Sequence, residues 1–177
     1  MASWTYNEFK HIGVDFDDPR RVETYEARQK TSIQGERELV KRLGIKSHHT
    51  VLEYGPGTGA FAIAAGESGA KVVAIDISMA MLGFAARKAK EAGLDDIVFG
   101  RGGYLTHDQS PESIDFVVTK FTLHHLPDFW KVAALRRIRK CLKPTGILYV
   151  QDVVFSFDPD DHSTEFETWI EGAVRDV

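Results

Sequence analysis

The chain has 177 residues, with 43% hydrophobic and 27% charged side chains, which suits one globular domain with a sizeable core. Its net charge of −4 implies no broad basic surface, so nucleic acid is not the default partner, although an RNA partner stays open. Its single cysteine excludes an internal disulfide. No apolar run reaches the length of a membrane helix and the first residues lack a signal-peptide pattern, so the sequence predicts a cytoplasmic protein.

Predicted strands and helices alternate along the chain. Two helices come first, over residues 20–30 behind Pro19 and over residues 32–43. Strands are then predicted at 50–54, 71–76, 96–99, 114–121 and 147–155, and helices at 60–65, 78–92, 128–142 (ended by KPTG) and 163–174. Ser78 and Asp128 are the expected N-caps. This pattern predicts an α/β fold, with a doubly wound, mostly parallel sheet and helices on both faces.

The whole chain, residues 1–177, is expected to form a single domain. In this interpretation residues 1–30 are an N-terminal cap segment, residues 31–155 a cofactor-binding core and residues 156–177 a C-terminal helix. Ligands of such sheets bind beyond the carboxyl ends of the strands, near the point where the strand order reverses. The side chains that follow each predicted strand are therefore the candidate site.

A glycine-rich turn follows the first strand. Gly55, Gly57 and Gly59 fall within five positions there, and glycines allow left-handed backbone angles and close approach of a ligand. Gly55, Gly57 and Ala60 also satisfy the dinucleotide pattern, which is a weak signal alone. A tight turn without a ligand is the alternative, but three glycines cost chain entropy that a plain turn need not incur.

Two acidic residues narrow the choice of ligand. Asp76 ends the second strand, 21 positions after Gly55, where a carboxylate accepts both ribose hydroxyls of an adenosine; capping the next helix is its alternative role. Glu53 lies in an otherwise apolar strand beside the turn, where it would repel a pyrophosphate and attract an amino group. An adenosine that carries an ammonium and a sulfonium is S-adenosylmethionine.

Four segments carry a family resemblance. VLEYGPGTG, VVAIDIS, FVVTKFTLHHLPD and LKPTGILYVQDV resemble, in order and spacing, the motifs of class I S-adenosylmethionine-dependent methyltransferases, over about residues 32–154. The resemblance implies a Rossmann-like fold and methyl transfer to an unidentified small-molecule acceptor. It implies that Glu53 contacts the methionine ammonium, directly or through water, and that Gly55, Gly57 and Gly59 wrap the methionine part. Asp76 would hold the ribose and Ile77 would pack on the adenine.

The sequence departs from this family after the third strand. Many members have a Gly-Asp pair there, whose carboxylate takes the adenine amino group, whereas this chain has Gly102-Gly103. Backbone groups or Tyr104 are then expected to read the adenine edge. In the cap segment, Trp4, Tyr6, Phe9 and Tyr25 are expected either to fold over the pocket or to pack as ordinary aromatics, and Tyr25 is the candidate to reach the donor carboxylate.

The chemistry itself demands little of the protein. Methyl transfer from a sulfonium is an in-line displacement that needs alignment and desolvation, and a base only if the acceptor loses a proton. Lys120 is expected beside the methyl group, and His124 or His125 is the candidate base because histidine titrates near neutrality. A purely structural role for both histidines stays open. No metal site is predicted.

The end of the chain leaves further alternatives. Family members usually add two strands after the last helix, so the fifth strand is expected to be an apolar sheet edge, which proteins normally cover. Either the chain is a piece of a longer protein or this edge pairs with a second copy in a homodimer. Two other functions stay open: a non-catalytic domain that binds S-adenosylmethionine or its demethylated product, and a nicotinamide-dependent oxidoreductase, against which Glu53 and Gly59 stand.

Overall fold

The computed structural model describes residues 5–10, 17–28, 33–154 and 156–175. Its strands are β1 (Thr50–Tyr54), β2 (Lys71–Asp76), β3 (Val98–Arg101), β4 (Ile114–Lys120) and β5 (Leu142–Gln151). Its helices are α1 (Pro19–Arg28), α2 (Ile33–Leu43), α3 (Ala60–Glu67), α4 (Met79–Glu91), α5 (Asp128–Cys141) and α6 (His162–Arg175), with short 3₁₀ turns at Leu123–His125 and Pro159–Asp161. The strands form one sheet in the order β3-β2-β1-β4-β5, and all four pairings are parallel.

Each face of the sheet packs on helices. Successive side chains of β1 alternate between the two faces, so Val51 joins the core formed with α2 and α3, and Leu52 joins the core formed with α5. The chain runs outward from β1 through β2 to β3, then returns to place β4 on the other side of β1. This confirms the doubly wound α/β fold, and it places the reversal of strand order between β1 and β4, where such folds bind ligands.

Most predicted element boundaries agree with the structure. β1 and β2 occupy the predicted residues, and Ser78 caps α4 because its Oγ accepts a hydrogen bond from the Met81 backbone N–H at 3.1 Å. The third strand was expected two residues too early. Asp128 was expected to cap α5 but is its first helical residue, because the extended Pro127 takes the capping position.

The predicted start of the fifth strand was wrong. KPTG was expected to end a helix and leave the strand to begin at 147, but β5 begins at Leu142, which pairs with Ile114. The pairing shifts register between Ile114 and Phe116. An edge strand with such an irregularity tolerates a proline, because the missing N–H need not serve a neighbouring strand.

One edge of the described sheet is apolar and open. β5 ends the strand order, and Ile147 and Val150 on it are 45% and 43% exposed. The predicted pairing of this edge with a second copy stays a prediction. Within the described residues, no helix combines the length and the apolar character needed to cross a membrane.

Candidate functional site

A cavity of about 780 Å³ lies beyond the carboxyl ends of β1 to β4. Most of the predicted site residues line it, namely Tyr25, Glu53, Gly55, Gly57, Asp76, Ile77, Gly103, Tyr104, Lys120 and His125. Gly59 and His124 are not among the lining residues. Of the cap-segment aromatics, Tyr6 also lines the cavity, while Trp4 lies outside the described residues.

The three glycines of the turn have different structural roles. All have positive φ: +68° at Gly55, +53° at Gly57 and +84° at Gly59. A Cβ on Gly59 would lie 2.7 Å from the Ala85 Cβ on α4, and one on Gly55 would lie 2.9 Å from the Thr122 Cβ. A Cβ on Gly57 would meet no atom within 4 Å. Packing therefore requires Gly55 and Gly59, whereas Gly57 leaves open space at the cavity wall.

This difference predicts unequal costs of substitution. Gly57→Ala should lower the free energy of unfolding by about 1–2 kcal/mol, the cost of a left-handed alanine. Gly59→Ala adds the collision with Ala85, so its loss should be about 2–4 kcal/mol. Urea denaturation of both variants measures the difference, and equal losses would show that Gly59 is not required for packing.

Glu53 is a buried acid whose carboxyl group is only partly hydrogen-bonded. It shares the face of Val51, is 3% exposed, and its Oε2 has no hydrogen-bond partner in the described structure. Burial is the main cause that raises the pKa of Glu53 to about 8; Lys120 opposes the shift, while Glu36 and Asp76 contribute to it. Glu53 lines the cavity, and a buried carboxyl oxygen that lacks a partner there is suited to a cation.

A second buried acid, Glu36 of α2, stands beside Lys120. The Lys120 ammonium pairs with Glu36 Oε1, and Glu36 is 4% exposed with its Oε2 also unpartnered among the described residues. Sequence reasoning missed Glu36. The available signal was its position in the apolar stripe with Leu39 and Val40, where a charged residue is out of place. The pair neutralises Lys120, so Glu53 still lacks a cation of its own.

Asp76 connects the glycine turn to the start of α4. Its carboxylate accepts hydrogen bonds from the backbone N–H groups of Ser78 at 2.9 Å and Gly57 at 3.3 Å, and burial raises its pKa. A carboxylate has about four acceptor sites, so capacity remains for two hydroxyl groups. Tyr25 of α1 lies close to Asp76. Burial raises the pKa of the Tyr25 phenol, and the negative charge of Asp76 contributes to this shift.

At the end of β3, Gly103 and Tyr104 both line the cavity. The Tyr104 ring stacks on Tyr54 with centroids 4.6 Å apart, and its hydroxyl contacts the hydroxyls of Thr119 and Thr122. Burial raises the pKa of Tyr104 to about 12. Its hydroxyl is therefore a neutral partner of the threonines at the end of β4.

The two histidines after β4 occupy different environments. His124 Nδ1 lies 2.5 Å from Asp152 Oδ1, and its backbone N–H donates to Asp152 Oδ2 at 3.0 Å. His125 lines the cavity, and burial together with the neighbouring His124 lowers its pKa. Of the two candidate bases, the structure brings His125 to the cavity and ties His124 to Asp152. The described residues contain no cluster of three or more potential metal ligands.

Residues 51–146 match a family model described as a methyltransferase domain. The chain belongs to this methyltransferase domain family. It is 30% identical to an uncharacterized methyltransferase of Geobacillus kaustophilus over 136 residues, which are 77% of this chain and 61% of that protein. It is 25% identical to the demethylmenaquinone methyltransferase of Oceanobacillus iheyensis over 145 residues, 80% of this chain and 58% of that one.

The fold of this methyltransferase domain recurs in solved structures. A SAM-dependent methyltransferase of Aquifex aeolicus superposes with a TM-score of 0.65 at 23% identity, covering 80% of this chain and 78% of that chain. By contrast, this chain spans only about 61% and 58% of the length of the two curated relatives named above.

The residues of the methyltransferase domain fit S-adenosylmethionine. The unpartnered Oε2 of Glu53 suits the methionine ammonium, and the open space at Gly57 admits a chain close to the backbone. Asp76, one strand further along the sheet, keeps acceptor capacity for the ribose hydroxyls. A dinucleotide pyrophosphate over the same turn would instead meet the buried acid Glu53.

Proposed function

We propose that the protein is an S-adenosylmethionine-dependent methyltransferase that acts on a small molecule. The observation that carries the proposal is the unpartnered, buried carboxyl oxygen of Glu53, a residue that lines the cavity of a methyltransferase domain. When bound, S-adenosylmethionine would supply an activated methyl group: an acceptor lone pair would form a bond to the methyl carbon in line with the C–S bond, which breaks and leaves its electrons on sulfur.

The residues of this chain bind and align the donor. Glu53 holds the ammonium, Asp76 holds the ribose, and Gly57 keeps the backbone accessible at the cavity wall. Ile77 lines the same cavity and packs on the adenine, while Tyr25 lies on the side of Asp76. Lys120 is held by Glu36 and contributes little net charge. Donor alignment in a site that excludes water accounts for most of the acceleration such a reaction needs.

His125 is the general base for an acceptor that must lose a proton. Its pKa is lowered by burial, so the ring is neutral at pH 7 and able to accept a proton. Its backbone carbonyl accepts a hydrogen bond from the Tyr6 hydroxyl at 3.3 Å, which fixes the segment against the cavity wall. His124 positions the turn through Asp152.

A small acceptor fits the size and charge of the site. Cavities of several hundred Å³ bury ligands of drug size, and the net charge of −4 gives no support to RNA as the acceptor. The name of the Oceanobacillus relative, a demethylmenaquinone methyltransferase, also specifies a small organic acceptor. A cytoplasmic location and a homodimer through the β5 edge remain predictions.

Methyl-labelled S-adenosylmethionine tests the proposal. The protein is incubated with the labelled donor and, in parallel, with a low-mass cell extract, with total RNA and with denatured cell protein. We expect label to move into the low-mass fraction only, and Asp76→Asn to abolish it. Asp95→Asn, an exposed carboxylate exchanged in the same way, is the matched control.

Each other outcome favours a different function. Label in RNA or protein would contradict the acceptor class. Binding of the donor with no transfer in any fraction would favour the non-catalytic domain that binds S-adenosylmethionine or its product.

A further inference from the structure

The N-terminal segment of residues 5–10 forms a wall of the cavity at the end of β3. Tyr6, Glu8 and Lys10 line the cavity from this segment. The guanidinium of Arg101, the last residue of β3, lies 5.3 Å from the centre of the Phe9 ring, within the range of a cation–π contact. The segment is thereby anchored beside the loop that follows β3.

Glu8 brings a carboxylate into this wall. It is 7% exposed, and both of its oxygens lie 3.1 Å from the Leu105 backbone nitrogen, whose N–H they share. The Thr106 hydroxyl donates to Oε1 at 2.5 Å. Oε2 receives no further hydrogen bond from the described residues, so it retains acceptor capacity in a residue that lines the cavity.

The carboxylate of Glu8 occupies the space that a side chain on Gly103 would need. A Cβ built on Gly103 would lie 2.5 Å from Glu8 Cδ, closer than such atoms approach. Glycine at position 103 therefore makes room for an acid from residue 8. The loop after β3 has no carboxylate of its own at Gly102-Gly103, and Glu8 brings one there from the N-terminal segment of residues 5–10.

The order of strands indicates what this carboxylate meets. Across the sheet, β1 ends at the glycine turn, β2 ends at Asp76, and β3 comes next. A donor with its amino-acid part at the turn and its ribose on Asp76 continues with its base over the end of β3. The edge of such a base would lie beside Gly103 and Glu8, which both line the cavity there.

We propose that Glu8 is a specificity-determining residue that accepts a hydrogen bond from the 6-amino group of adenine. This inference rests on the proposed function. A carboxylate accepts from an amino group, but it repels the carbonyl oxygen that hypoxanthine carries at the same position. Glu8 therefore selects adenine over hypoxanthine.

The test is a ratio of two affinities. Calorimetry of the wild type should show S-adenosylhomocysteine binding about 100-fold tighter than S-inosylhomocysteine, because a site built for one hydrogen-bond pattern rejects the other. Glu8→Gln, whose amide both donates and accepts, should bring the two affinities within about fivefold of each other. Glu38→Gln, an exposed glutamate exchanged in the same way, is the matched control and should keep the wild-type ratio.

A rescue separates recognition from folding. In the double variant Glu8→Ala with Gly103→Asp, the removed side chain leaves room for an acid on the loop itself, so the preference for adenine should return to at least tenfold. If Glu8→Gln weakens both ligands and leaves the ratio unchanged, Glu8 only anchors the segment and the inference is wrong. If the wild type binds neither S-adenosylhomocysteine nor S-inosylhomocysteine, the proposed function is itself contradicted, and so is the role of Glu8 that rests on it.

Discussion

Asp76→Asn is expected to lower the affinity for S-adenosylhomocysteine by about 100-fold or more. The wild-type carboxylate accepts from two backbone N–H groups and has room for two ribose hydroxyls. A hydrogen bond to a charged group contributes about 1.5–3 kcal/mol, and each 1.4 kcal/mol is a tenfold change in affinity. The asparagine has one acceptor oxygen instead of two and no charge. At least one hydrogen bond from a ribose hydroxyl is therefore lost, and the other is weakened.

The loss should not come from unfolding. Burial raises the pKa of Asp76, so ionisation of this carboxyl already costs stability at neutral pH, and a neutral amide does not add to that cost. We expect the free energy of unfolding of Asp76→Asn at pH 7 to lie within about 1 kcal/mol of the wild type. Asp95→Asn serves as the exposed control. An affinity within threefold of the wild type would remove Asp76 from the binding site.

The second large effect is a dependence of binding on pH through Glu53. A carboxyl with a pKa of about 8 is ionised in only about one molecule in ten at pH 7 and one in a hundred at pH 6. The ligand ammonium needs the ionised form, so binding releases a proton. Affinity for S-adenosylhomocysteine should therefore rise about tenfold per pH unit from 6 to 7 and level off near 8. Glu53→Gln should bind weakly at every pH in this range.

The same pKa predicts an opposite trend in stability. Because the folded pKa of Glu53 is raised from 4.5 to about 8, its protonated form favours the folded state. That contribution is complete below pH 4.5 and is lost as the pH rises through about 8. Glu53→Gln, which stays neutral, should exceed the wild type in unfolding free energy by roughly 2–4 kcal/mol at pH 9 and match it at pH 4.5.

Denaturation at both pH values, with the exposed Glu38→Gln as matched control, measures this difference. An identical pH profile for Glu53→Gln and the wild type would mean that the carboxyl is not held neutral by burial. The two trends together describe a site whose unpaired acid costs stability when free and contributes affinity when a cation is bound.

Local sequence patterns were sufficient to predict the bounds of buried strands and the position of a helix cap. β1 and β2 were correct to the residue because each is a short apolar run bounded by turn residues, and Ser78 was a recognisable cap. The start of β5 was not predictable from Pro144 and Gly146, since both residues read as a break. Only the position of β5 at the sheet edge explains why a strand tolerates them.

The candidate site likewise contains residues that the sequence predicted and residues that it did not. Glu53 and Asp76 were predicted because Glu53 lies next to the end of β1 and Asp76 ends β2, and ligands of α/β folds bind at these strand ends. Glu36 and Glu8 were missed because their partners are distant in sequence, at Lys120 and Leu105, and no spacing rule connects such positions. His124 and His125 are adjacent and chemically identical in sequence, and only the position of Asp152 separates their environments.

Calorimetric titration with S-adenosylhomocysteine, with NAD as the control ligand, tests the central claim that this cavity holds a sulfonium cofactor. At pH 8 we expect micromolar binding of one molecule of S-adenosylhomocysteine per chain and no binding of NAD. Tight binding of NAD without binding of S-adenosylhomocysteine would contradict the account of Glu53 and of the glycine turn.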